Sequence, residues 1–126
     1  MPFVQISMLE GTSAEYRKTL GDIVHQAMVE TINIPPLDRF QTIREFSREN
    51  FLCTPEYLGI QYSEQFMIIH ITLNEGRSLE MKQALYKTVA ERVSAALGIS
   101  PADIMIGLTE VKKENWSFGN GIAQYA

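Results

Sequence analysis

The chemistry open to this 126-residue chain is concentrated at its two ends. Met1 is followed by Pro2, and because aminopeptidases remove an initiator methionine that precedes a small residue, the mature chain is expected to begin with proline. A free terminal proline is a rigid secondary amine that can act as acid, base or nucleophile. An ordinary α-amine titrates at about 7.7–8.0, and apolar walls or a nearby cation push it down, so this nitrogen can be set on either side of neutrality. A retained Met1 would make the same nitrogen an amide with no basic lone pair. At the other end, Trp116-Ser117-Phe118-Gly119-Asn120-Gly121-Ile122-Ala123-Gln124-Tyr125 gathers the one tryptophan, a phenylalanine and a tyrosine where no helical or strand period demands them. Such a segment suits a pocket wall. A lid over the core or a subunit contact would use the same residues.

Elsewhere the reactive side chains are scattered. Cys53 stands alone, which excludes an internal disulfide, offers no metal-ligand spacing and fits a reducing compartment, the cytoplasm by default. It has no basic neighbour to activate it. His70 falls in an apolar strand and is expected to be hydrogen-bonded at an interface, while His25 flanks the apolar stripe of a helix and is expected at the surface. Arg39 and Arg44 are expected in solvent or in subunit contacts. Asp38, taken alone, reads as a turn residue ahead of a strand, as does Asp103. Eleven basic against 15 acidic residues give a net charge of -4, with no basic run longer than Lys112-Lys113, so nucleic acid is not an expected partner. No stretch of 18 apolar residues and no basic-then-apolar start occurs, so neither a membrane span nor a leader is expected.

The elements that must position these groups come from an internal repeat within one expected domain, residues 1–126. Residues 2–46 align without a gap on residues 67–111, with identities at Ile6/Ile71, Glu10/Glu75, Gly11/Gly76, Ser13/Ser78, Glu15/Glu80, Leu20/Leu85, Val24/Val89, Ile34/Ile99, Pro36/Pro101, Asp38/Asp103 and Glu45/Glu110. Each copy reads as β-α-β. Val4, Ile6 and Met8, like Ile69, Ile71 and Leu73, alternate with their neighbours as strand residues do. Tyr16, Leu20, Ile23, Val24, Ala27, Met28 and Ile32 step by threes and fours, as do Met81, Leu85, Val89, Val93, Ala96 and Leu97. A capping box is expected from Thr12 to Glu15. Asn33 and Gly98 sit where a left-handed residue ends a helix, and Pro36 and Pro101 block its resumption.

Right-handed crossovers then give an α/β (α+β) fold: a four-stranded mixed sheet with both helices on one face. The other face carries Phe3, Ile68 and Met105 among Gln5, Ser7, His70 and Thr72, too apolar for solvent, so a homo-oligomer packed through these faces is expected. Residues 47–66 read as a connector with a short helix around Pro55–Leu58, and 112–126 as a glycine-rich hairpin.

Pro2 opening a strand, the two β-α-β copies, Pro35-Pro36-Leu37-Asp38-Arg39-Phe40 and the Trp116-to-Tyr125 tail together resemble the tautomerase superfamily, specifically its malonate semialdehyde decarboxylase branch. The resemblance implies a homotrimer, a site at each terminal proline, and no metal or organic cofactor. It implies that Pro2 is the catalytic amine, Asp38 the catalytic carboxylate and Arg77 a substrate-binding, polarising arginine, with Trp116, Phe118 and Tyr125 as the aromatic wall around a small oxo-acid substrate. Better-known members carry two arginines one residue apart after the third strand. This chain reads Leu73-Asn74-Glu75-Gly76-Arg77-Ser78, one residue longer and with one arginine; Arg77 takes the second place, Glu75 or Asn74 stands where the first would be, and a carboxylate there would repel an anion. Tyr125 adds a hydroxyl where the family has phenylalanine. The implied reaction is decarboxylation of a small 3-oxo acid. A keto-enol tautomerase of a 2-oxo acid such as phenylpyruvate, or a non-catalytic oligomeric binding protein on the same scaffold, are the alternatives.

Overall fold

The structure is a computed structural model and describes residues 2–126. In chain order it contains β1 (Phe3–Leu9), α1 (Ala14–Ile32), β2 (Gln41–Phe46), the short strands β3 (Glu56–Tyr57) and β4 (Ile60–Gln61), then β5 (Met67–Asn74), α2 (Leu79–Leu97) and β6 (Ile104–Val111). The main sheet has the order β2-β1-β5-β6. Each crossover pair, β1 with β2 and β5 with β6, is parallel, and the two copies meet through antiparallel β1 and β5. The repeat thus produces the four-stranded mixed sheet expected of it.

The alternation seen in the sequence decides what is buried. Val4, Ile6 and Met8 of β1 and Ile69, Ile71 and Leu73 of β5 face Leu20, Val24, Ala27 and Met28 of α1 and Leu85, Val89 and Val93 of α2 in one core. Burying a side chain of this size contributes about 1.5–3 kcal/mol, which is why the period of two is so strictly kept. The opposite face remains partly open, with Phe3, Ile68, His70 and Thr72 half-buried and Met105 exposed.

Helix ends follow the repeat with one correction. The caps are Ser13, which accepts from the Tyr16 amide at 3.0 Å, and Ser78, which accepts from Met81 at 3.2 Å. Thr12 is not the cap: its amide and hydroxyl donate to Glu45 Oε2 at 2.8 and 2.7 Å, tying the start of α1 to the end of β2. Asn33 (φ 60°) and Gly98 (φ 69°) close the helices in the left-handed conformation, as expected.

Two connections differ from expectation. No helix forms at Pro55–Leu58; Leu58 and Gly59 both take positive φ, which suits a two-residue hairpin turn, and β3 pairs with β4 across it. Nor is 112–126 a hairpin. A 3-10 turn at Lys113–Asn115 is followed by Gly119, Asn120 and Gly121, all at positive φ. Gln124 takes the place a second strand would have, accepting from the Phe118 amide at 3.0 Å and donating to the Gly119 carbonyl at 3.1 Å.

Candidate active site

The antiparallel pairing of β1 and β5 decides which loops meet. Phe3 lies opposite Thr72, Val4 opposite Gln41, and Asn74 opposite Val111. The start of β1, the loop before β2, the turn after β5 and the segment after β6 therefore converge at one end of the sheet, where α1 also finishes. Pro2, Asp38, Arg77 and the aromatic tail all belong to these segments.

Pro2 is buried immediately before β1. Met1, whose removal would free the Pro2 nitrogen, lies outside the described residues. Asp38 is half-buried in a turn closed by its own amide, which donates to the Pro35 carbonyl at 2.9 Å. Two residues on, Phe40 accepts from the Val4 amide at 2.9 Å, which lays the Asp38 loop along the proline end of β1.

Arg77 is held by backbone. Its Nε and Nη2 donate to the Ile32 carbonyl at 3.4 and 3.3 Å, and Nη1 donates to the Asn74 carbonyl at 3.0 Å. Its charge thus lies at the C-terminus of α1, where the helix dipole favours a cation. A guanidinium has five N–H groups; with three engaged, one remains on each Nη. Those two form a fork of the kind that grips a carboxylate. Arg77 borders a cavity of about 340 Å³ together with Asn33, Asn74, Glu75 and Lys113. Nothing in the sequence pattern pointed to Lys113 or to Asn33, there read only as a helix end, as site residues; both enter through the pairing of Val111 with Asn74 and the end of α1.

Asn74 links this polar cavity to the aromatic tail. It is buried, and its Oδ1 accepts from Trp116 Nε1 at 2.8 Å. Trp116 stacks on Phe118 with centroids 5.7 Å apart, and the two border a second cavity of about 280 Å³ with Phe3 and Phe40. Tyr125 meets Phe118 edge-on at 5.2 Å but does not line that cavity. Asn74, one of the two residues that could stand in place of a second arginine, is thus the one that orients the tryptophan.

One expectation away from this cluster needs correction, while Arg39 and Arg44 are exposed as expected. His25 is not on the surface but 8% exposed, because the loop after α1 folds back and presents the Pro36 carbonyl to its Nε2 at 2.7 Å. Arg39 is paired with Asp22 at 2.8 Å. Arg44 stands over the Phe46 ring at 5.5 Å. His70 bonds Thr109 at 2.7 Å on the open sheet face, opposite Gln5 of β1 in the register. Cys53 is exposed, with its thiol pushed up by desolvation, the direction opposite to activation. Among the described residues no three His, Cys, Asp or Glu side chains are grouped to hold a metal, and no helix is long and apolar enough to cross a membrane.

A duplicated β-α-β unit forming one four-stranded sheet, with a buried proline heading a central strand, is a tautomerase-like fold. Two family models, each described as a tautomerase enzyme, match residues 38–119 and 2–61. The chain is 41% identical over 124 residues to the probable tautomerase YusQ of Bacillus subtilis (strain 168), covering 98% of each protein. It superposes on a malonate semialdehyde decarboxylase inhibited by 3-bromopropiolate with a TM-score of 0.89 and 35% identity, over 98% of this chain and 93% of that one. A second malonate semialdehyde decarboxylase gives a TM-score of 0.90 at 28% identity, over 98% and 95% of the two chains. The chain belongs to the tautomerase superfamily.

Proposed function

We propose that this chain is a cofactor-free decarboxylase of a small 3-oxo acid, working through Pro2 as its terminal amine. Arg77 grips the carboxylate with its two remaining N–H groups, and Lys113 adds a second positive charge that offsets Glu75. Pro2, protonated and held so by Asp38, donates toward the carbonyl oxygen. The bond between the α-carbon and the carboxylate then breaks, carbon dioxide leaves, and the electron pair is received as an enolate that the ammonium protonates. The aromatic residues Trp116 and Phe118 exclude water, and Tyr125 supplies a further donor on closure of the tail. The observation that carries this reading is the fork left on Arg77 at the end of the sheet where β1 begins. Likeness to two malonate semialdehyde decarboxylases across almost the whole chain supports it.

A second reading is favoured by the 41% identity to a probable tautomerase. With Pro2 neutral, the same array takes a proton from the carbon next to the carbonyl of a 2-oxo acid, which is keto-enol tautomerisation. In both readings the chain works as a homotrimer, with the open face of the sheet, including Phe3, Ile68 and Met105, covered by neighbouring copies. The compartment proposed is the cytoplasm.

Carbon dioxide release from malonate semialdehyde, measured beside enol decay of phenylpyruvate, separates the two reactions. Decarboxylation lost in Pro2→Ala is the expected result. Turnover of phenylpyruvate alone replaces the first reading by the second, and Pro2→Ala as fast as wild type on both refutes the amine mechanism.

A further inference from the structure

The turn that carries Asp38 is tied to one face of α1 at three places. Buried His25 meets the Pro36 carbonyl at 2.7 Å through Nε2. A carbonyl accepts and never donates, so this nitrogen carries the ring proton. Arg39 pairs with Asp22 at 2.8 Å, and the Gln41 amide donates to the Gly21 carbonyl at 2.9 Å. Gly21 leaves room for this docking, since a Cβ there would stand 2.8 Å from Gln41 Oε1. Pro36 and Arg39, one on each side of Asp38, are thus both anchored.

The second copy builds the matching turn without these ties. In the gap-free alignment, Gly21, Asp22, His25, Arg39 and Gln41 correspond to Tyr86, Lys87, Ala90, Ile104 and Ile106. There Ser100 caps the turn by accepting from the Ala102 amide at 3.2 Å. Asp103 is buried and accepts from the Ser63 amide and hydroxyl at 2.7 and 2.6 Å, a structural use of the carboxylate. In the first copy Pro35 replaces that serine, and the turn depends on the helix instead. A β-α-β unit of this kind therefore needs no clamp to fold. The clamp belongs to the copy whose strand opens on Pro2.

Of the three ties, the Arg39–Asp22 pair has side chains 40% and 43% exposed and contributes little. The histidine bond is made by a buried ring whose other nitrogen, Nδ1, is buried without a hydrogen-bond partner among the described residues. Buried polar groups are normally satisfied, so the ring is retained for the one bond it makes. We propose that His25 is a positioning residue: by holding the Pro36 carbonyl it sets Asp38 against Pro2. This rests on the roles given above to Pro2 and Asp38.

The test is a double-mutant cycle of His25→Ala with Asp38→Asn, reading kcat and KM on whichever oxo acid the wild type turns over, together with amide exchange at Asp38 and thermal unfolding. His25→Ala is expected to lower kcat about 10- to 100-fold, the cost of a misplacement near 1 Å, with KM much less affected. It should also speed exchange of the Asp38 amide. His25→Gln, whose side-chain N–H reaches the same carbonyl, should restore most of both. In the Asp38→Asn background His25→Ala should slow the reaction no further, because the two act as a unit. An equal kcat loss in both backgrounds, or unchanged exchange at Asp38, overturns the positioning role and leaves the Pro2 mechanism standing. Wild-type kcat in Asp38→Asn overturns the role of Asp38 and this proposal together. If His25→Ala does not fold, His25→Asn, too short to reach the carbonyl, replaces it in the same cycle with the same criteria.

Discussion

Arg77 holds backbone at the end of α1 and, in the function proposed, also holds the substrate carboxylate; one substitution series separates the two. Arg77→Met removes the charge and every donor while keeping most of the apolar stem. The structural loss comes from one good bond, to the Asn74 carbonyl at 3.0 Å, and a shared, longer pair to Ile32 at 3.3 and 3.4 Å. A bond from a charged donor is worth about 1.5–3 kcal/mol; with the group half-buried and two of its contacts long, about 1–2 kcal/mol of stability is lost. For a domain of this size that is a fall in Tm of about 3–10 °C. The binding loss is the fork on the substrate carboxylate, so KM for the oxo acid rises about 10- to 100-fold. Arg77→Lys keeps a cation at the end of α1 and one donor for Ile32, which recovers most of the Tm, yet a point charge cannot reproduce the fork and KM stays high. Lys113→Ala touches neither carbonyl and raises KM by about two- to fivefold, less at high salt. Steady-state kinetics and thermal melts on the same preparations measure both quantities. Arg77→Met that melts early but binds substrate within twofold of wild type would refute the reasoning: Arg77 would then be a helix-end cap and nothing more.

Asn74→Leu leaves the Trp116 indole N–H without its acceptor at a half-buried site, which costs about 1–3 kcal/mol. Tryptophan fluorescence should shift to the red, with KM rising as the aromatic wall loosens; an unchanged spectrum refutes the link between the two cavities. Glu45 accepts from the Thr12 amide and hydroxyl and pairs with Arg17, and these hold its carboxyl below the ordinary glutamate range. A lowered folded-state value means stability present above the unfolded value of about 4.3 and lost as the pH falls through it and below. Glu45→Gln should therefore flatten the decline of Tm between about pH 5 and 3, and an equally steep decline in the variant refutes this.

What the sequence made legible was local or periodic. Asn33 and Gly98 at the helix ends and the strand alternation each act within a few residues, so their meaning survives without the rest of the chain. Even the misplaced cap, Thr12 for Ser13, is an error of one position, caused by a threonine recruited to Glu45 on another strand. The failures were contacts between distant segments. His25 flanks its helix's apolar stripe and looks solvent-facing until the Pro36 loop returns over it. Asn74 has no evident role in the sequence until the tail brings Trp116 to it. In the tail itself, Gln124 closes the chain through its side chain, and no strand pattern encodes that. Of the candidate site, Pro2 and the aromatic tail stood out in the sequence and Asp38 and Arg77 came from the resemblance, whereas Lys113, Asn33 and the bond from Trp116 to Asn74 depended on strand register.

Joining the two β-α-β copies into one polypeptide has made the two poles of the sheet unequal. Met67 occupies in the second copy the place of Pro2 in the first, but peptide-bonded to Phe66 its nitrogen is an amide with no basic lone pair to offer. That pole serves cohesion instead, with buried Asp103 bonded to the amide and hydroxyl of Ser63. With Pro2 as the reactive nitrogen, each chain can be titrated by one equivalent of an amine-directed inhibitor, where two separate half-length chains would consume two. The duplication has exchanged stoichiometry for specialisation.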